Sequence, residues 1–520
     1  MQNLPTETKS VRTLVFTTAI LYLVLSTVLN FLSKGFLEAD GVTHYLYSRF
    51  AFQNPAYFAD VWGRPVRMLI HAVPAHFFGL HGVRAASLVC VLITAWLVVR
   101  IAKKLDWRAP AYAAFFLLIQ PLLFLHSFSE LTEVPFALLG ALAMLTLLHR
   151  QWWIFALICG AMPASRPEGA GFVLLAIAML ILHRKWYWLP LVAVPILIWN
   201  TYGWIMWGSD SGPWHLWLVH QFPYSAKSLY DAGPIYRFLA VLPFVVSPIA
   251  VPAILIGSWG LIGSTWGTHL EGAAPAAPFG ASGTDSVQST DVTVNRHPAS
   301  QERRPPLVRV LFDLNTQTNL LIFAIPWGIL AVHSYLHYSG KMSSSGEPRY
   351  LLAAAPFWAL LAARGWPMII DRFRVPKPAL IAGLGALIPV AVDLTYPVVP
   401  LKPQPDATLC AEIAKWYQTS PYAKDYPIVY GTHPLVYLYT DRPIQDIKAK
   451  VIAHPPKGAF FVFDSMYASY NSDPERKVTQ AMFDAAGWKK VETGFGLKDQ
   501  VWQIYLSPES AATNDVNLHE

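Results

Sequence analysis

The sequence predicts a polytopic α-helical membrane protein that carries a C-terminal α/β domain on its non-cytoplasmic side. Three observations predict it. The first is composition: of 520 residues, 54% are hydrophobic and only 14% charged, with a mean hydropathy of +0.36. Soluble domains average about 25% charged residues. The second is the recurrence of apolar runs, several near the roughly 20 residues that cross a hydrocarbon core. The third is the placement of aromatic residues. Trp96, Trp107, Trp152, Trp153, Trp186, Trp188, Trp204 and Trp207 stand near the ends of these runs, where amphipathic rings prefer the headgroup layer.

The runs fall at 13–33, 84–102, 111–127, 134–148, 152–164, 169–182, 187–206, 236–262, 317–338, 350–364 and 379–396. Read as spans, they give about eleven crossings. Charge orders the loops between them. One alternating set holds Lys9/Arg12, Arg100/Lys103/Lys104/Arg108, His149/Arg150, Arg184/Lys185, Arg303/Arg304/Arg309 and Arg372/Arg374/Lys377. The other holds Glu38/Asp40, Glu130/Glu133, Arg166/Glu168, Asp210 and Glu347/Arg349. Basic loops stay in the cytoplasm, so the N-terminus is expected inside and the C-terminus outside.

A transmembrane region over 1–396 and an extracytoplasmic domain over 397–520 follow. Residues 34–83 form a first outer loop in which 43–53 reads as an interfacial helix and 65–78 either as a second one or as part of a membrane hairpin; both mix apolar and basic residues at helical spacing. Residues 267–306 are rich in Gly, Ala, Pro, Ser and Thr. Such a segment buries too little to order itself, and it reads as a disordered cytoplasmic linker. Beyond 397, helix-like and strand-like blocks alternate, as in a small α/β domain.

The net charge of +7 is accounted for by the basic loops, so no nucleic-acid partner is expected. Three cysteines give no disulfide framework and no metal-ligand spacing. No cofactor is required by the pattern; a divalent metal is compatible with it but not supported. The outer segments contain no Asn-x-Ser/Thr sequon. That favours a bacterial inner membrane over the endoplasmic reticulum.

Ionisable residues at span ends are costly unless paired or solvated, and here they gather on the outer face. Glu38-Ala-Asp40 follows the first run. It reads either as a polar cap or as the source of a general base. His126-Ser-Phe-Ser-Glu130-Leu-Thr-Glu133 joins the third and fourth runs, with its two carboxylates at helical spacing. It reads as a polar hairpin, as an acceptor-binding segment or, weakly, as metal ligands. Arg166-Pro-Glu168-Gly169 and Gly346-Glu347-Pro348-Arg349-Tyr350 each set an Arg beside a Glu and a Pro. Either Arg reads as an interfacial anchor or as a phosphate ligand. Lys341, in the loop before Arg349, adds a second cation.

An outer carboxylate, outer arginines and interfacial helices suit transfer of a sugar from a polyisoprenyl phosphate. The competing class is a polytopic transporter or a flippase for lipid-linked substrates. Transporters place ionisable groups near the midplane and often show related halves; here the charges sit at span ends and no repeat is visible. The pattern resembles the GT-C glycosyltransferases. The pieces that match are Glu38-Ala-Asp40 opening a long loop with Tyr45, Arg49 and Trp62-Gly-Arg64-Pro65, then Ser129-Glu130-Leu-Thr-Glu133, Arg166-Pro-Glu168-Gly169 and Glu347-Pro-Arg349-Tyr350-Leu-Leu. The last is similar to a Lys-Glu-x-Arg-[Phe/Tyr] segment of dolichol-phosphate-mannose-dependent mannosyltransferases, although Ser345-Gly346 stands where that group often has His-Lys. The terminal domain looks more like that of bacterial members.

The resemblance implies an inverting hexosyltransferase, with mannose or another hexose moved to a lipid, glycan or protein acceptor. It places the base at Asp40, with Glu38 competing. It places the donor phosphate at Arg349, with Lys341, Arg64 and Arg166 as lesser candidates. Glu130, Glu133, His126 and Glu347 would then line the acceptor side.

Overall fold

The structure, a computed structural model, describes residues 9–207, 230–270, 313–342, 344–387, 391, 399–445, 447–470, 477–491, 495–497 and 500–508. Its helices, single turns aside, are α1 (Lys9–Leu32), α2 (Ala39–Phe50), α3 (Pro65–Lys104), α4 (Tyr112–Leu118), α5 (Pro121–His126), α6 (Glu133–Leu148), α7 (Trp152–Ala161) and α8 (Gly169–Leu182). They continue as α9 (Leu189–Trp207), α10 (Arg237–Val246), α11 (Ala250–Leu270), α12 (Leu314–Ser339), α13 (Ala355–Phe373) and α14 (Pro378–Gly385).

The protein is membrane-embedded, but the count of about eleven spans is corrected. Among the described residues, five helices are long and apolar enough to cross: Lys9–Leu32, Pro65–Lys104, Trp186–Met206, Leu314–Ser339 and Pro348–Phe373. A sixth is reached if α10 and α11, bent by 107°, count as one. The apolar runs overcounted because hydropathy does not register breaks or length. The run 111–127 splits at Gln120-Pro121, since Pro121 has no amide hydrogen to continue α4 and instead opens α5. Runs 134–148, 152–164 and 169–182 form helices of 10–17 residues, short of the roughly 20 that span a bilayer. The stretch 65–78, read as interfacial or as part of a membrane hairpin, is joined to the run 84–102 in the 40-residue α3, with a kink at Gly79 (φ 59°, ψ −144°). Of 379–396, residues 379–387, which include most of α14, and Ala391 are described. Of the expected linker 267–306, residues 267–270 extend α11 and the rest lie outside the described residues.

The membrane core is built on α13. Phe357, Trp358, Leu360 and Leu361 are fully buried there, within a cluster that includes Phe115, Phe116, Phe136 and Phe155. By contrast α1 leaves Phe16 and Phe31 more than half exposed, as a lipid-facing helix does.

After 399, α15 (Pro405–Thr419) and α16 (Pro434–Thr440) accompany the strands β1 (Ile428–Gly431), β2 (Ala459–Asp464), β3 (Lys489–Val491) and β4 (Trp502–Leu506). The sheet is open and four-stranded in the order β1-β2-β4-β3. β1 pairs parallel with β2, while β4 runs antiparallel to both its neighbours. One face of this domain shares a hydrophobic core with α2 and the segment that follows it. Val42, Leu46 and Phe50 of α2 pack in the same cluster as Cys410, Ile413, Val436, Val462 and Ile504. Tyr57 pins the docking by donating to the Ile444 carbonyl at 2.6 Å.

Candidate active site

Two buried arginines on α3 set the position of α2. Arg84 donates to Glu130 Oε1 (2.5 Å) and to the carbonyls of Ser33 and Gly35 (2.6 Å each). Arg67 donates to the Glu130 carbonyl (2.8 Å), the His44 carbonyl (2.8 Å) and Ser48 Oγ (2.7 Å). The Arg84–Glu130 pair is wholly buried. Removing one member of such a pair leaves a bare charge in an apolar interior, a cost of roughly 3–5 kcal/mol. Gly41 lies close to this pair: a Cβ there would lie 2.9 Å from Glu130 Oε2 and would press on the buried carboxylate.

The clamp holds the first turn of α2, with Glu38 at its N-cap and Asp40 behind it, against residues from distant parts of the chain. Arg349 Nη2 donates to Asp40 Oδ2 at 2.8 Å, its Nε pairs with Glu347, and its Nη1 lies 3.9 Å from Glu133 Oε1. Arg166 completes the chain of contacts. Its Nη1 donates to Glu133 Oε1 (2.6 Å) and Thr132 Oγ1 (2.9 Å), and its Nη2 donates to Glu168 Oε1 (2.8 Å). His333 Nε2 lies 3.3 Å from the same Glu168 oxygen, and its ring stacks on Tyr350 at 5.1 Å. Exposure is graded across the cluster. The Glu133 side chain is 1% exposed and that of Asp40 35%. Asp40 therefore forms the open rim and Glu133 the floor.

Burial pushes the Glu38 carboxyl up from 4.5 to about 7. The Arg349 charge opposes this shift, while Glu347 and Asp40 add to it. The folded state thus keeps a proton that the unfolded chain gives up. The Glu38 contribution to stability is full below pH 4.5 and is lost as pH rises to about 7. Its size, discounted for partial solvent access, is on the order of 2 kcal/mol. Glu38→Gln is expected to remove this slope. Unfolding followed in detergent from about pH 4.5 to about pH 8 checks it, and an identical slope in wild type and variant would contradict it.

Of the residues singled out in the sequence, Glu38, Asp40, Glu133, Arg166, Glu347 and Arg349 come together. His126, 1% exposed at the end of α5, lies beside the cluster, within electrostatic reach of Glu133, Arg349 and Arg166. The others lie elsewhere. Glu130 is committed to Arg84 in the clamp. Lys341 is exposed, with its Nζ 6.0 Å from the Tyr335 ring. Arg64 is buried in a left-handed conformation (φ 57°) against Trp62. Arg84 and His333 were not singled out, although an ionisable group inside or opening an apolar run is itself a signal. Among the described residues, no group of three or more His, Cys, Asp or Glu is arranged to hold a metal ion.

An apolar groove runs into this cluster. A cavity of about 420 Å³ between α8 and α12 is lined by Phe172, Leu175, Leu321, Ile325 and Ile329 and ends at Glu168 and His333. Gly171 and Gly328 widen it: a Cβ at either meets nothing within 4 Å.

A helical membrane region bearing a docked α/β domain is thus the class of architecture. Solved structures with a similar fold include two of one protein. ArnT from Cupriavidus metallidurans bound to undecaprenyl phosphate matches with a TM-score of 0.53 at 13% identity, covering 94% of this chain and 97% of that one. ArnT from the same organism in the apo state gives 0.53 at 13%, covering 95% and 98%. The likeness is one of fold. No family model matches the chain, and no curated protein matches it.

Proposed function

We propose that the protein is an inverting glycosyltransferase that takes a hexose, mannose being the family's suggestion, from a polyisoprenyl phosphate on the extracytoplasmic side of a bacterial inner membrane. The observation that carries this reading is one arrangement. A rim carboxylate, Asp40, is hydrogen-bonded to Arg349 in an ionic cluster that an apolar groove enters from the membrane region. The GT-C-like motifs and the fold shared with a protein solved with undecaprenyl phosphate bound support it. Lys9 and Arg12 at the start of α1, against Glu38 and Asp40 after it, support an outer position for the cluster.

In this reading the lipid tail lies in the α8–α12 groove. The phosphate sits beyond the groove's end at Glu168 and His333, by Arg166, which pairs with Glu168, and by Arg349; the planar forks of both match phosphate geometry. Glu38, half-protonated near neutrality, reduces the negative charge that an incoming phosphate meets. Asp40 takes the proton of the acceptor hydroxyl as that oxygen bonds to the anomeric carbon. The bond from that carbon to the phosphate oxygen breaks, and its electron pair leaves with the polyprenyl phosphate. Attack opposite the leaving group inverts the centre. A phosphate departs without a proton once its charge is stabilised, so one base and a set of cations suffice.

The groove gives a test that spares the charged cluster. Gly328→Phe fills open space, and replacing a helical glycine does not strain α12. The variant is expected to fold as wild type and to lose undecaprenyl phosphate affinity by roughly tenfold or more. Unchanged affinity would remove the groove from the account.

A further inference from the structure

A second cavity, about 270 Å³, lies where the terminal domain meets α2. Its walls include Thr43, Thr432, Gln445 and Tyr467, over an apolar base that includes Ile444 and Ile447. Its place in the fold is informative in two ways. Thr432 directly follows β1, and Tyr467 lies three residues past β2. The cavity is therefore at the carboxyl edge of the parallel pair, where open α/β sheets bind ligands. Thr43 follows Asp40 by three residues on α2, which puts it on the same helix face about 4.5 Å further along the axis. The cavity is thus one helical turn from the carboxylate assigned as base.

The cleft is preorganised. The core shared by α2 and the terminal domain fixes one wall, and the Tyr57–Ile444 hydrogen bond fixes the loop that carries Gln445. Thr432 Oγ1 accepts from the Asp464 amide at 2.8 Å, tying the ends of β1 and β2 together. Behind that wall Asp464 is wholly buried, and its Oδ2 has no hydrogen-bond partner among the described residues.

The lining chemistry selects the ligand. Among the described lining residues no side chain is charged, so nothing there neutralises a phosphate. Hydroxyl and amide groups alternate with aliphatic surface, and Tyr467 offers a ring. A sugar ring presents the same mixture, with hydroxyls at its edge and C–H groups on its faces. The volume suits a single ring near the lower end of small-molecule sites, about 300 Å³.

We propose that this cleft binds a neutral sugar of the acceptor, holding it so that the hydroxyl to be glycosylated reaches Asp40. The proposal deepens the transferase reading and rests on it for the identity of Asp40. It makes the acceptor a glycan or glycolipid, and it gives the terminal domain the task of selecting it.

The test separates the two claims. Binding of a panel of neutral methyl glycosides to the purified full-length protein in detergent is measured by saturation-transfer NMR, without any donor. Wild type is expected to bind at least one glycoside, and Gln445→Ala and Tyr467→Ala to weaken it by about tenfold each. Gln445 is exposed, so its variant is not at risk of misfolding. With donor present, both variants are expected to raise the acceptor KM and leave the donor KM unchanged. Glycoside binding that is insensitive to both variants, or no glycoside binding at all, overturns the cleft as a sugar site. So does saturation by an extended peptide pairing with the edge strand β1 in place of a glycoside. Binding that depends on Tyr467 and Gln445, in a protein that consumes no polyprenyl-phosphate sugar, keeps the sugar site and removes the transferase reading.

Discussion

Asp40→Asn is expected to reduce sugar transfer by roughly 10²–10⁴-fold, the usual contribution of a positioned general base, while the protein remains folded. The expectation comes from geometry. Asp40 accepts from Arg349 Nη2 at 2.8 Å through Oδ2, and an asparagine can keep that contact through its amide oxygen. The side chain is 35% exposed, so a neutral replacement leaves no charge stranded in an apolar interior. What it loses is the capacity to hold a proton taken from the acceptor. Transfer rate and thermal unfolding, measured on the same preparation, check this. Full activity in a folded variant would exclude Asp40 as base and return Glu38 to consideration.

Arg349→Ala is expected to act on the donor. It removes the guanidinium that joins Asp40 to Glu347 and lies near Glu133. Glu133, the most buried of these carboxylates, retains Arg166 at 2.6 Å, so the floor of the cluster stays neutralised. Asp40 and Glu347 are 35% and 30% exposed and can hydrate. The structural cost is therefore modest, and the functional cost is a lost phosphate fork beside several carboxylates. Donor KM is expected to rise by about 100-fold, as for loss of one strong charge-assisted contact. Arg349→Lys restores the charge but not the paired geometry, and is expected to recover part of the loss. A donor dependence equal to that of wild type in Arg349→Ala would sink the assignment.

The candidate site was more legible than the span count, for different physical reasons. Asp40 and Arg349, 309 residues apart, were each visible because charge beside an apolar run is expensive and so has a purpose. Their contact was not visible, since no local pattern encodes which loops meet. Glu130 shows the same limit. Its spacing from Glu133 suggested a shared face, yet α6 starts at Glu133, and Glu130 lies in the preceding turn, held by Arg84. The span count failed where hydropathy is blind to backbone breaks, at Gln120-Pro121 and between Val246 and Ala250. It also failed where a run such as 152–164 is apolar enough but too short. In the terminal domain, the alternating helix-like and strand-like blocks beyond 397 correspond to its helices and four strands. Their docking on α2, and the cleft it makes, depend on a core assembled from both regions.

The central claim is that a polyprenyl phosphate leaves from a site served by Asp40 and Arg349. Its most direct test is the release of undecaprenyl phosphate from undecaprenyl-phosphate hexoses by the purified protein, supplied with a panel of glycan and glycolipid acceptors. The expected result is stoichiometric release with formation of an inverted glycosidic bond, abolished in Asp40→Asn. No donor consumption by folded wild-type protein across the panel, or equal consumption by Asp40→Asn, would contradict it.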